Sequence, residues 1–188
     1  MVTIVPYQPS WPAEFQQLAA LLRQALGPLA LRIDHIGSTS VPGLPAKDVI
    51  DIQITVAALD ERVASALRTL GYTRREDIER DHRPPNSVGP ESDWEKFYFQ
   101  APAGQRRTHT HMRTLGRANQ RYPLLFRDYL RAHPATAAAY AELKQRLAEH
   151  LADPQTYPDV KDPAVDLIYL AAEEWASATH WQPGPSDA

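Results

Sequence analysis

Leu31 to Val56 is the stretch that most restricts how this chain of 188 residues can fold. Leu31-Arg32-Ile33-Asp34-His35-Ile36 reads as a strand running into Gly37-Ser38-Thr39-Ser40. Glycine lets the backbone approach a ligand closely, and the hydroxyls and amides that follow can hold an anion. Val41-Pro42-Gly43-Leu44-Pro45 then turns the chain, with fixed and permissive dihedrals side by side. From Ile50 a second strand alternates. Ile50, Ile52, Ile54 and Val56 share one face, and Asp51, Gln53 and Thr55 the other. One face builds core; the other sets Asp51 and Gln53 beside a phosphate-sized loop.

The flanking segments are read from the same periodicities. Trp11, Phe15, Leu18, Leu22 and Leu26 recur at helical spacing, with Ser10 as the predicted N-cap, Pro12 in the first turn and Gly27-Pro28 as the stop. A second helix is expected from Leu59 to Leu70, capped by Gly71, then a short strand within Tyr72 to Arg75. Glu76 to Asp93 carries Pro84, Pro85 and Pro90 and reads as a long loop, a lid or a mobile surface segment, from which His82 and Arg83 can reach a ligand. Trp94 to Gln100 and Thr108 to Arg113 form a hairpin around Pro102-Ala103-Gly104. The second of these strands puts His109, His111 and Arg113 on one face. Two histidines two apart on a strand can bind one metal or one phosphate, or serve in proton transfer, but no third ligand has zinc-type spacing.

The rest is predicted helical: Tyr122 to Arg131 with Pro123 in its first turn, Thr136 to Leu151, a Pro-containing link over Asp153 to Asp162, and Pro163 to Thr179. The fold class is therefore α+β, a mixed sheet flanked by helices with a helical C-terminal half. One domain is expected over 1–181, its sheet part at 1–115 and its helical part at 119–181, with 182–188 a frayed, disordered tail.

Composition narrows the partners. No apolar run reaches the ~20 residues of a membrane span, no signal-peptide pattern is present, and cysteine is absent, so a cytoplasmic location is the simplest reading. A net charge of −3 argues against non-specific nucleic-acid binding. Between Arg106 and Arg131, however, seven arginines face one acid, Asp128. Most such runs are solvated helix faces; the functional alternative is a lobe facing polyanionic substrate, because arginine's fork suits phosphate.

Ile36-Gly37-Ser38 followed by Asp51-Ile52-Gln53 resembles the Gly-Ser and paired-acid motifs of the polymerase-beta-like nucleotidyltransferase superfamily. His35 to Lys47 as a whole is similar to one branch of it, the GrpB-like family. So are Tyr7-Gln8-Pro9-Ser10-Trp11-Pro12, Arg107-Thr108-His109-Thr110-His111, the Phe126 to Pro134 block with Tyr140 and Lys144, and Tyr157 with Lys161. The resemblance runs from about Tyr7 to Trp175. It implies a nucleotidyltransferase-like sheet, a nucleoside triphosphate as substrate and catalytic Mg²⁺. Residue by residue, it implies phosphate binding by Gly37, Ser38, Thr39 and Ser40 with Arg107 and Arg113, and metal at Asp51 and Gln53. Lys47 would neutralise developing charge, with His109 and His111 as further catalytic candidates. Gln53 departs from the pattern, since a neutral amide stands where the second metal carboxylate is expected.

Two readings follow, with a third behind them. One is transfer of a nucleotidyl group from a nucleoside triphosphate to an unknown acceptor. Another is a module that kept the fold, lost metal catalysis and binds a nucleotide or other small phosphorylated ligand. The third is a hydrolase or phosphotransferase using the histidines as acid and base. Nothing in the sequence sets the acceptor or the oligomeric state.

Overall fold

The apolar face of Ile50, Ile52, Ile54 and Val56 needs a covering layer, and that need arranges the first half of the molecule. The computed structural model, which describes residues 2–188, shows these four side chains fully packed under two helices. Helix α1 (Trp11–Leu26) lays Trp11, Phe15, Ala19, Leu22 and Leu26 over them, and α2 (Glu61–Thr69) adds Val63, Ala64 and Leu67. Asp60 caps α2 by accepting from the amides of Arg62 and Val63. The ring of Phe15 stacks flat on His35 at 4.8 Å, and burial pushes that imidazole down to about 4.

The sheet has five strands: β1 (Arg32–Ile36), β2 (Ile50–Val56), β3 (Thr73–Arg74), β4 (Phe97–Gln100) and β5 (Thr108–Thr114), in spatial order β1-β2-β5-β4-β3. Only β2 and β5 are parallel, and their register sets Asp51 opposite His109 and Gln53 opposite His111. The polar sheet face is thus the predicted one. Three helices build the second half: α3 (Ala118–Ala132), α4 (Pro134–His150) and α5 (Tyr157–Thr179). They pack on one another through Leu125, Tyr129, Leu130, Tyr140, Val165 and Ala172. No helix among the described residues is long and apolar enough to cross a membrane.

Several local expectations are corrected. Helix α5 begins at Tyr157, so most of the predicted link at Asp153 to Asp162 is helical. Pro158 lies in the first turn, where a missing N–H costs no hydrogen bond, and Pro163 is carried inside the helix. Helix α3 starts at Ala118, which puts Pro123 in its interior rather than its first turn. Ser10 does not cap α1; its hydroxyl donates to Glu14 Oε1 at 2.6 Å instead. The tail is not frayed. Gly184 to Ala188 lies along the outer edge of β1, where Ser186 Oγ accepts from the Ile33 amide and Asp187 Oδ2 from the His35 amide, each at 2.9 Å.

Six of the seven arginines in the run are spent internally rather than offered to a polyanion, and Arg107 stands exposed. Arg106 pairs with Glu14 and Asp48, Arg113 with Asp81, Arg117 with Asp93, Arg121 with Glu173, and both Arg127 and Arg131 with Asp128. The long loop is pinned by the same means. Its Asp81 accepts from Arg113 Nε and Nη2 (both 2.8 Å), Lys96 Nζ (2.6 Å) and Asn119 Nδ2 (3.0 Å). His82 Nε2 meets Asp166 at 3.0 Å, and Arg83 bonds Glu91 and loop carbonyls, so both side chains are engaged within the fold. Arg113 and Lys96 hold the Asp81 carboxyl well below the usual carboxylate range against its desolvation. Because the folded value is depressed, the stabilisation is complete above about pH 4 and fades as pH falls below the unfolded-state value. Asp81→Ala should cost about 3–5 kcal/mol at neutral pH, since it strands two buried cations. Urea unfolding checks this: the wild-type-to-variant gap should shrink on acidification, and an unchanged gap would contradict the assignment.

Candidate functional site

Where β1 ends, the backbone passes directly over the Asp51 carboxylate. Gly37 has φ +69°, and a Cβ placed on it would lie 2.2 Å from Asp51 Oδ2. Any side chain here would therefore collide with the acid as well as strain the backbone. The other oxygen, Oδ1, faces His109 Nδ1 at 3.0 Å across the β2–β5 ladder. Asp51 is thus pressed between a glycine turn and an imidazole.

Lysines from the β1–β2 loop and from two helices, α4 and α5, gather beside this turn. Lys144 of α4 donates to Ser38 Oγ at 2.9 Å and to the Pro45 carbonyl. Lys144 is 3% exposed and contacts no carboxylate, so burial, and then repulsion by Lys161, pushes its ammonium down to about 7. Lys47 sits 4.0 Å from the centre of the Tyr157 ring, and burial, Lys161 and Arg107 lower it in that order. Lys161, beside Asp162 at 3.5 Å, is the third cation. These three lysines line one cavity of about 470 Å³, with Asp51, His109 and His111 also in its wall and the ion-paired Lys96, Asp81 and Asp162 at its margin. Tyr122, Phe126, Tyr140 and Tyr157 add aromatic surface. Close, half-desolvated ammonium groups repel one another, and an anion between them relieves that repulsion. A groove of similar size beside Trp11 is occupied by the Glu14–Arg106–Asp48 ion pairs.

Gly37, Ser38, Lys47, Asp51, His109 and His111 therefore meet in one place. Thr39 joins their wall, but its Oγ1 is bonded to His35 Nε2 at 3.0 Å. Ser40 is turned away: its hydroxyl donates to the Gly37 carbonyl at 2.6 Å and its own carbonyl is held by Arg131, so both residues brace the turn. His111 is held neutral, its pKa pushed well down by burial and then by Arg113 and Lys96. Arg113 Nη2 lies 3.3 Å from His111 Nδ1, which makes that nitrogen the acceptor.

Three of the predicted ligand residues are corrected. Arg113 does not face the cavity; it is consumed by Asp81 and by Gln53 Oε1 at 2.7 Å. Gln53 is fully buried, with its Nε2 donating to the Gln120 carbonyl at 2.9 Å, so both ends of the amide are used and neither can meet a metal. Arg107 stands exposed beside the β4–β5 hairpin, outside the cavity. The residues not assigned to the site from sequence are Lys144, Lys161, Tyr140 and Tyr157. Their signal was the repeated Tyr-x-x-x-Lys spacing, which puts both side chains on one helix face.

The donor set does not fit the Mg²⁺ centre that the motif implies. Asp51 has no second carboxylate beside it on β2, the Gln53 amide is satisfied elsewhere, and cations crowd the cavity. Among the described residues no group of three or more His, Asp or Glu side chains is placed to hold a metal ion.

Sheet order, the Gly-Ser turn and the strand-borne acid define a nucleotidyltransferase-like fold. The structure of Cid1 in complex with its short product ApU shares it, at a TM-score of 0.51 and 11% identity over 77% of this chain and 43% of that one. That likeness is one of fold alone. The family model described as GrpB protein matches residues 1–170, and the chain belongs to the GrpB family. The crystal structure of conserved protein GrpB from Enterococcus faecalis aligns at a TM-score of 0.71 and 30% identity, covering 92% of this chain and 99% of that one. Among curated relatives, a dephospho-CoA kinase of Mycolicibacterium paratuberculosis is 41% identical over 97% of this chain. The match occupies 48% of that protein, so the chain spans about half the length of this relative.

The close approach of Gly37 to Asp51 is open to a double-mutant test. Gly37→Ala should destabilise the protein by about 1–3 kcal/mol through the forced backbone conformation and the displaced carboxylate. Adding Asp51→Ala should recover part of that loss, giving a coupling of at least about 0.5 kcal/mol in chemical denaturation. Strict additivity would place the carboxylate elsewhere.

Proposed function

We propose that this chain binds a small phosphorylated ligand, a nucleotide by the class its fold suggests, and holds the phosphate with its own cations rather than through a Mg²⁺ bridge. The observation that carries this is that Lys47 and Lys161 share one cavity with Lys144, which bonds Ser38, while Gln53 is locked against Arg113 and Gln120. Ser38 Oγ and Lys144 Nζ supply donors for phosphate oxygens, and the tyrosine-rich wall supplies a surface for a planar base. Lys144 has no acid partner of its own, which suits a group whose counter-ion arrives with the ligand.

Nucleotidyl transfer to an acceptor hydroxyl is the second reading, favoured by the Asp51–His109 pair. A carboxylate on Nδ1 orients the imidazole so that Nε2 can take a proton from an acceptor. The kinase activity in the mycobacterial relative's name belongs to a protein about twice this length, and we assign no kinase step to these residues.

The test is a thermal-shift titration with inorganic tripolyphosphate in excess EDTA. The melting temperature should rise in proportion to the logarithm of ligand concentration. Lys144→Met should weaken apparent affinity about tenfold or more, the loss expected for a charge-assisted contact. Since the Lys144 ammonium lies near 7 in the free protein and an anion raises it, binding takes up a proton. Affinity should therefore fall as pH climbs through that value. A flat pH profile, or a Lys144→Met protein that binds as well as wild type, would contradict the assignment.

A further inference from the structure

The outer edge of β1 is held by a segment far away in sequence. Strand edges leave amides unpaired, and here the outward amides of Ile33 and His35 are met by side chains, Ser186 Oγ and Asp187 Oδ2. Arg32 donates to the carbonyls of Gly184 (2.8 Å) and Pro185 (3.2 Å), Gln16 Nε2 to the Asp187 carbonyl (3.0 Å), and Arg23 to an Ala188 oxygen (2.8 Å). The Ala188 amide returns a bond to the Ile33 carbonyl at 3.1 Å. A segment without helix or strand structure is thus tied to the body of the fold by the carbonyls of Gly184, Pro185, Asp187 and Ala188, the Ser186 hydroxyl, the Asp187 carboxylate and the Ala188 amide.

The centre of this contact is Arg127, whose side chain is 4% exposed. One of its nitrogens, Nη1, donates both to Asp187 Oδ2 at 2.7 Å and to the His35 carbonyl at 3.0 Å. Asp187 Oδ2 also accepts from the His35 amide. A single carboxylate oxygen therefore clamps both polar groups of the His35 backbone, one directly and one through Arg127. Two residues later the chain is Gly37, poised over Asp51, and the His35 ring fixes Thr39 within the same turn. Displacing Asp187 would free the His35 amide and leave Arg127 with Asp128 as its remaining acid.

We propose that the β1 edge, with Arg32 and Arg127, is a seat for a short extended acidic peptide segment, filled in this chain by Gly184–Ala188, and that its filling positions the Gly37–Ser38 turn for phosphate. The second half rests on the reading of that turn as the phosphate holder. Asp187 touches no cavity residue directly; it is a positioning residue acting through Arg127 and the His35 backbone.

The experiment compares the wild-type 188-residue chain, Asp187→Ala and Asp187→Asn by two readouts. Amide hydrogen exchange at Ile33 and His35 reports the seat without any ligand, and tripolyphosphate affinity in EDTA reports the turn. Asp187→Ala should speed His35 exchange by about tenfold or more and weaken tripolyphosphate by about threefold to tenfold. Asp187→Asn, which keeps an acceptor but no charge, should fall between. Excess peptide Gly-Pro-Ser-Asp-Ala should slow exchange and restore affinity in Asp187→Ala. Unchanged exchange at His35 would overturn the seat. Faster exchange with unaltered affinity would reduce the tail to a plain edge cover and overturn the positioning role. If wild type fails to bind tripolyphosphate at all, the phosphate reading fails, and the exchange arm still decides the seat.

Discussion

The absence of one Cβ governs the candidate site. With Gly37 at φ +69°, the turn after β1 settles onto the Asp51 carboxylate, a place where a methyl group would overlap an oxygen. That approach fixes Ser38 above the sheet, where Lys144 reaches it from α4. It also directs the other Asp51 oxygen to His109. Strand, turn and helical half are thereby tied to one atom group. The Asp187–Arg127 contact holds the His35 backbone, two residues before that turn.

Charge distribution separates this site from a metal-bridged one. In a paired-carboxylate centre two acids create a field that a divalent cation neutralises. Here Asp51 is the one acid of its strand face, and three lysines from separate elements supply positive charge in the same cavity. Other strong charges at the site are paired. Asp81 with Arg113 and Lys96 forms a buried cluster at one side of the cavity, and of the two arginines that looked available for phosphate Arg113 is committed to Asp81 while Arg107 stands exposed outside the cavity. The cavity therefore mixes four lysines with Asp51, Asp81 and Asp162, and Lys144 is the buried ammonium among them that contacts no carboxylate.

Period-2 alternation in Ile50 to Val56 and helical spacing from Trp11 to Leu26 made the core legible, because each pattern admits one buried face. The Gly-Ser turn, Asp51 and His109 were legible for the same reason, being close in sequence or in register across one ladder. What sequence did not disclose was which polar groups were already satisfied. Gln53 and Arg113 share a strand face with Asp51, yet each is consumed by a neighbour from a distant element, Asp81 or Gln120. Pro158 and Pro163 read as breaks and concealed the start of α5, which is what carries Tyr157 and Lys161 to the cavity. The Gly/Pro/Ser composition of the tail signalled disorder, while its order comes from side-chain acceptors offered to an edge 150 residues away in sequence, at the Ile33–Ser186 contact a separation of 153.

The central claim is that phosphate is held by protein cations rather than by a metal bridge. Isothermal titration of a nucleoside triphosphate panel, each member once in EDTA and once with Mg²⁺, tests it most directly. The account predicts that at least one triphosphate binds in EDTA, with affinity equal to or better than that of its Mg²⁺ complex. Binding that appears only with Mg²⁺ and is lost in Asp51→Ala would contradict it and restore a metal-centred site.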